Sequence, residues 1–382
     1  MTSVKNRQRM GQILSAAVLC AAVPTLQAQT AVAQDGEKAV DKPLLVVLTP
    51  PKASPAYAVT KPFRDGILAS YREDKDNYKI RQVEVKPEEG VAKVLEQVAD
   101  EGAMLVIGPL LKNNVDEVAQ MPFVPVPVLA INRTSADVLP ELFINMDMSA
   151  EGQMNQLVSE AVGKTKKSAE ANLPFLILTT SNPYDQRLAD AAEAALDKEE
   201  IPSVRMSLAP SDLREMVRSE EQEFRATVFA MNSTYAGMVR PFLAPYTPVY
   251  GTSYTDPKNN EDAMSARTQS NDLRGMVTLE IPAITELDST TYSKYRKRLL
   301  KMTAEERLMF SVGIDAWRLG KEWLEWHEKV DYADGMSGRI HFDKSEGAHV
   351  ARRLTPVVVT TKVQTHDQDE PDFVESSQEA GL

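Results

Sequence analysis

The chain has 382 residues, of which 43% are hydrophobic and 26% charged, and its formal net charge is −12 at pH 7. That acidic balance argues against nucleic acid and anionic membrane surfaces as partners. A single cysteine, Cys20, leaves no disulfide framework to consider.

Met1–Ala33 has the form of an export signal. Lys5, Arg7 and Arg9 open it, Gly11–Val23 is largely apolar, Pro24 breaks the run, and small-residue cleavage patterns follow at Leu26-Gln27-Ala28 and Ala31-Val32-Ala33. This segment holds three bases and no acid, so the remainder carries −15. No later stretch reaches about 18 consecutive apolar residues, the length a spanning helix needs. Cys20 lies inside the signal and follows the bulky Leu19, where a lipidation signal wants a small residue. A free periplasmic protein is the expectation, with an outer-membrane lipoprotein anchored through Cys20 as the alternative.

Residues 34–42 form a polar leader. Leu44–Leu48 then has the composition of a buried strand, and Thr49–Pro55 is a proline-rich loop. Phe63, Ile67, Leu68 and Tyr71 mark an amphipathic helix with Pro62 near its start, where proline is tolerated. Tyr78–Val85 alternates as a strand and Val91–Val98 is helical. Met104–Ile107 and Pro127–Ile131 are short apolar strands, separated by helical spacing over Leu110–Ala119, which makes one β-α-β unit. The pattern restarts with a helix at Ala150–Val162, a strand at Pro174–Thr179 and an alanine-rich helix at Gln186–Leu196. Val204–Leu208, Ala226–Met231 and Val249–Tyr254 supply strands, and Ala236–Leu243 a helix. Residues 255–272 are expected as a loop and Leu273–Ile281 as a strand. Ala304–Trp326 is the longest helix, with Leu308, Val312, Ala316, Leu319, Trp323 and Trp326 on one face. Gly335–Phe342 and Leu354–Val359 are expected to close the fold as a hairpin, and the acidic tail 361–382 to be disordered. Strands alternating with helices imply parallel sheets, and two successive blocks imply two lobes facing each other across a cleft.

The common catalytic layouts are missing. The sequence has no Ser-x-x-Lys, no Gly-x-Ser-x-Gly and no His-Glu-x-x-His. Gly163-Lys164-Thr165 imitates the end of a phosphate-binding loop, but Val158 replaces the earlier glycine, so a helix C-terminus flanked by Lys164, Lys166 and Lys167 is expected. His327, His341, His349 and His366 have no partners at a spacing diagnostic of a metal site. No catalytic residue, metal or cofactor is therefore assigned. What remains is polar groups at strand ends, where parallel α/β sheets place their ligands. In the first block these are Thr49, Gly108, Lys112, Asn113, Asn132 and Arg133. In the second they are Ser181, Asn182, Tyr184, Asp185, Asn232, Ser233, Tyr235 and Tyr254. Each has a competing role in capping a helix or satisfying a turn: Ser181–Asp185 suits a helix start and Gly108-Pro109 a tight turn.

Three segments resemble the penicillin-binding-protein activator family of LpoA type, in its C-terminal domain. They are Val106-Ile107-Gly108-Pro109-Leu110-Leu111-Lys112, Pro127-Val128-Leu129-Ala130-Ile131-Asn132-Arg133, and Phe310–Leu319. Phe63-Arg64-Asp65-Gly66-Ile67-Leu68, Ser337-Gly338-Arg339-Ile340 and Arg353-Leu354 fit as well. The resemblance implies a two-lobed, type I periplasmic-binding-protein-like α/β fold, each lobe a mostly parallel sheet flanked by helices. It implies crossings near 147, 280 and 330, so that 43–147 plus 281–330 form one lobe and 148–280 plus 331–360 the other. It also implies a non-catalytic periplasmic regulator that binds and activates a bifunctional peptidoglycan synthase, a class A penicillin-binding protein. The helical-repeat domain that precedes this fold in longer family members has no counterpart in this sequence. The alternative on the same fold is a solute-binding protein of an ABC transporter for a small ligand such as an amino acid. Such proteins follow the glycine at the third strand end with small hydroxyl residues; here Pro109-Leu110-Leu111-Lys112 stand in that place.

Overall fold

The computed structural model describes residues 42–134, 136, 138–208, 223–259, 263–286 and 290–360. The expected export signal, Cys20, nearly all of the leader and the acidic tail lie outside them. Among the described residues no helix is long and apolar enough to cross a membrane.

The first block forms β1 (Leu44–Thr49), α1 (Lys61–Asp74), β2 (Lys79–Glu84), α2 (Val91–Asp100), β3 (Ala103–Ile107), α3 (Lys112–Ala119), β4 (Val128–Ala130) and β5 (Phe143–Met146). The second forms α4 (Ala150–Thr165), β6 (Phe175–Thr179), α5 (Pro183–Lys198), β7 (Ser203–Ser207), β8 (Ala226–Ala230), α6 (Ser233–Val239), β9 (Val249–Gly251), α7 (Ala263–Asp272) and β10 (Val277–Glu280). In each block five parallel strands take the same order, β2-β1-β3-β4-β5 and β7-β6-β8-β9-β10. β1, β4, β6 and β8 are almost wholly buried because helices cover both faces, which is why they are continuous apolar runs without alternation.

The chain then enters α8 (Ala304–Leu324), whose start is fixed by a capping box. Thr303 Oγ1 accepts from Glu306 N at 3.2 Å, and Glu306 Oε2 accepts from Thr303 N at 2.9 Å. α8 packs along α1 so closely that two glycines face each other's backbone. A Cβ on Gly66 would stand 2.1 Å from the Phe310 carbonyl oxygen, and one on Gly313 would stand 2.1 Å from that of Phe63. Val312, Ala316, Trp317, Leu319 and Trp323 enter the core of the first sheet, while Phe310 and Ile314 enter that of the second.

The last strands correct the expected lobe boundary. β11 (Lys329–Tyr332), β12 (Arg339–Asp343) and β13 (His349–Arg353) extend the first sheet, with β13 parallel to β5 through His349↔Asn145 and Val350↔Met146. Only β14 (Thr355–Val358) joins the second sheet, antiparallel to β10. The change of sheet falls at Leu354, whose N–H and carbonyl both bond the Gln156 side-chain amide, at 2.9 and 2.8 Å. Segment 331–353 therefore belongs with the first block, and Gly335–Phe342 does not pair with Leu354–Val359. The partner of β12 on one side is β11, which reads Lys-Val-Asp-Tyr with only Val330 buried and so carries no apolar signature.

Two smaller corrections concern helix ends. Residues 255–272, expected as loop, include the polar helix α7, and Gly275 (φ +88°) separates it from β10, so the strand starts at Val277 instead of Leu273. α8 stops at Leu324, which takes Trp326 off the buried stripe and leaves it 60% exposed.

Candidate functional site

In the strand order shared by both sheets, the chain direction across the sheet reverses between the first and third strands, and loops leaving their C-terminal ends diverge to opposite faces. That switch point lies after β1 and β3 in one sheet and after β6 and β8 in the other. Most of the candidate residues flank these two places.

At the first edge Thr49 is buried and its hydroxyl turns inward, donating to Val83 O at 3.4 Å. Gly108 follows β3 with φ +107°, and a Cβ there would stand 3.1 Å from that of Leu48, so this turn needs glycine. The next peptide bond, to Pro109, is cis. Leu111 occupies the N-cap of α3 without a side-chain hydrogen bond, where a hydroxyl would ordinarily cap. Lys112 opens the helix and reaches back: its Nζ donates to Arg133 O at 3.3 Å and pairs with Asp116 at 3.3 Å. Arg133 pairs with Asp147 at 3.2 Å, and Asn132 Oδ1 accepts from Arg133 N at 2.9 Å. Thus Lys112, Asn132 and Arg133 come together, while Asn113 points to solvent.

At the second edge Asn182 and Asn232 cap α5 and α6, accepting from Tyr184 N at 2.8 Å and Tyr235 N at 3.0 Å. Asp185 is buried at the foot of α5 and accepts from Thr180 Oγ1 at 2.6 Å. The Tyr184 and Tyr254 rings meet edge to face, 4.9 Å apart at 75°, and the Arg187 guanidinium lies 5.3 Å from the Tyr184 ring centre. Burial, and then the adjacent Asp185 carboxylate, push the Tyr254 phenol up to about 12. Ser233 is buried, whereas Ser181 and Tyr235 face outward. A concavity of about 390 Å³ lies elsewhere, between α4 and α5 beside Asn155, Ser159 and Lys198.

Sequence reasoning missed Asp147, Asp116 and Thr180, which hold the singled-out groups in place. Asp147-x-Ser149 was legible as a helix start: Asp147 Oδ1 accepts from Ser149 N at 2.9 Å, and Ser149 Oγ in turn accepts from Gly152 N at 2.9 Å as the cap of α4. It also missed a half-buried acid at the end of β10. Glu280 accepts from Ile281 N at 2.8 Å, and burial pushes its carboxyl up to about 7, with Asp256 adding repulsion and Lys258 and Arg307 offsetting it. A raised folded-state value means the folded chain holds a proton that the unfolded chain releases as pH rises above the ordinary carboxyl range. Stability is lost progressively up to neutral pH, and the cost then persists. Glu280→Gln should therefore stabilise the protein by about 2 kcal/mol at pH 8 and leave it nearly unchanged below pH 5. Thermal denaturation of both proteins across that range checks it; an equal shift at both ends would refute the titration.

Two mostly parallel sheets of identical strand order, with helices on their faces and polar groups at the switch points, define a type I periplasmic-binding-protein-like fold. Among solved structures the chain resembles a "putative branched-chain amino acid ABC transporter" of Chromobacterium violaceum, with TM-score 0.68 and 20% identity over 83% of this chain and 100% of that one. It resembles equally the LpoA C-domain of Haemophilus influenzae, described as a regulator of PBP1A, with TM-score 0.66 and 17% identity over 83% of this chain and 97% of that one. At these identities the two likenesses show the fold alone.

Sequence relatives are more particular. Residues 41–198 match the family described as "LppC putative lipoprotein". The chain is 22% identical over 277 residues to the penicillin-binding protein activator LpoA of Haemophilus ducreyi, covering 69% of this chain and 45% of the relative. The LpoA of Haemophilus influenzae matches at the same identity and coverage. The resemblance to the activator family is thus carried by the family model and by the curated relatives. The chain spans about half the length of the curated relatives it matches.

Proposed function

We propose that the chain is a non-catalytic regulator of the cell envelope that binds and activates a bifunctional peptidoglycan synthase, a class A penicillin-binding protein. The sequence relatives support the activator role, and one structural observation favours it over solute binding. The polar groups at the strand ends are largely consumed by one another: Lys112 by Arg133 and Asp116, Arg133 by Asp147, and Asn182 and Asn232 by helix caps. A small ligand needs convergent groups with free hydrogen-bonding capacity. At the third strand end, moreover, the hydroxyls that would hold a carboxylate give way to Pro109, Leu110 and Leu111. The regulator acts in the periplasm, and Cys20 is the position an acyl anchor to the outer membrane would use.

The second reading is a solute-binding protein of an ABC transporter, favoured by the fold likeness and by the Tyr184–Tyr254 pair beside Asp185. The two separate in binding experiments on the purified chain. The regulator should bind its cognate synthase saturably and show no stabilisation in a thermal-shift screen of amino acids. A ligand that binds only the folded state must raise its melting temperature. Saturable stabilisation by an amino acid, with no affinity for the synthase, would overturn the proposal.

A further inference from the structure

Helix α8 ends at Leu324, and the chain folds back on its last turn. Trp326 takes the left-handed conformation at φ +61°, uncommon for a residue other than glycine. His327 N then donates to Glu322 O at 3.0 Å and Trp326 N to Trp323 O at 3.1 Å, the doubled closure of a Schellman turn. The reversal sets the His327 imidazole between the carboxylates of Glu322 in the last turn and of the C-cap residue Glu325. Its Nδ1 contacts Glu322 Oε2, and its Nε2 lies 3.9 Å from Glu325 Oε2. One ligand atom from each of Glu322, Glu325 and His327 lies within 4.8 Å of the others.

Two phenols orient the acids, one from the following strand β11 and one from just before β2. Tyr332 OH donates to Glu322 Oε1 at 3.1 Å and Tyr78 OH to Glu325 Oε1 at 3.3 Å. Each carboxylate therefore gives one oxygen to a tyrosine and turns the other toward the imidazole. Outer hydrogen bonds of this kind orient ligands in metal sites. The side chains of Glu322, Glu325 and His327 are 35%, 56% and 49% exposed, so an ion reaches them from solvent.

We infer that Glu322, Glu325 and His327 form a binding site for a divalent transition-metal ion of the zinc class. One imidazole with two carboxylates suits zinc and its neighbours, whereas calcium and magnesium take oxygen ligands alone. The imidazole contributes a single nitrogen. Solvent or a group on another molecule completes the coordination.

The test uses the full chain after treatment with a chelator. Isothermal titration with zinc should show saturable binding of one ion per chain, and cobalt should give a visible ligand-field spectrum. H327A and E322Q should each abolish both signals while the circular dichroism spectrum stays unchanged. H341A, whose imidazole pairs with Asp331 and Glu346, and H366A in the tail should leave them intact. Absence of saturable zinc binding, binding that survives H327A, or binding lost in H341A would each overturn the site.

Discussion

Replacing Asp315 by alanine is expected to cost about 4 kcal/mol of folding stability, a fall of roughly ten degrees in Tm. Asp315 is fully buried in the middle of α8 and serves the turn that leads into β12. Its carboxylate accepts from Met336 N at 3.0 Å, Ser337 N at 2.7 Å and Ser337 Oγ at 2.7 Å, with the Arg318 guanidinium 3.8 Å away. Burial favours the neutral form of the acid, while the donors around it favour the charged form. The same turn meets residues of the second sheet's core, since Met336 O accepts from Ala283 N at 3.1 Å and Gly335 O from Tyr292 OH at 3.1 Å. It also meets β13, because Ser337 O accepts from the half-buried Arg352 at 2.7 Å. Alanine would leave three donors without an acceptor at the place where both sheets are tied together. Ser337→Ala removes only one donor and should cost about 1 kcal/mol. Urea unfolding of both variants decides the matter, and a D315A loss no larger than that of S337A would contradict this account of the turn.

Gly313→Ala should cost about 3 kcal/mol or more, although alanine ordinarily favours a helix. The reason is the approach of α1 to α8: the added methyl would meet the Phe63 carbonyl oxygen at 2.1 Å and the Ile67 nitrogen at 3.0 Å. Backbone cannot yield as a flexible side chain does, so the helices must move apart and open the core around Phe63, Ile67 and Trp317. Gly163, in the last turns of α4, has nothing within 4 Å of its missing Cβ. Gly163→Ala should therefore stabilise the protein by about 0.5–1 kcal/mol. Opposite signs for two helical Gly→Ala exchanges, read as shifts in chemical denaturation midpoint, are the expected result. A stabilising shift for Gly313→Ala would show that helix propensity outweighs the close packing.

Those glycines show how far the sequence could be read. Phe63–Leu68 and Phe310–Leu319 stood out as motifs without a reason, and the structure supplies one: each motif carries the glycine that admits the other helix. The parallel strands were legible because both their faces are covered, which leaves uninterrupted apolar runs such as Leu44–Leu48 and Ala226–Met231. β11 and α7 were not, because each is short or polar and is held by pairing or by contacts distant in sequence. The passage of the chain at Leu354 depends on the Gln156 side chain, 198 residues away, and local pattern carries no trace of it. At the strand ends, residue type was informative and role was not. Asn182 and Asn232 were chosen as polar groups at switch points, and both are helix caps. Lys112 and Arg133 were chosen singly, and local pattern does not reveal that Asp116 and Asp147 are the carboxylates that hold them. His327 gave no metal signal because its spacing to Glu322 and Glu325 becomes meaningful only once Trp326 reverses the chain.

Polar groups bonded to one another at the sheet edges, on a fold shared with solute-binding proteins, are the observation on which the proposed regulator role rests. The most direct measurement is peptidoglycan synthesis from lipid-linked precursor by the cognate class A synthase, with and without the purified chain, followed by analysis of the muropeptides. The proposed function predicts a larger crosslinked fraction that saturates as the chain approaches stoichiometry with the synthase. Product unchanged at saturating protein, together with no measurable association between the two, would contradict it.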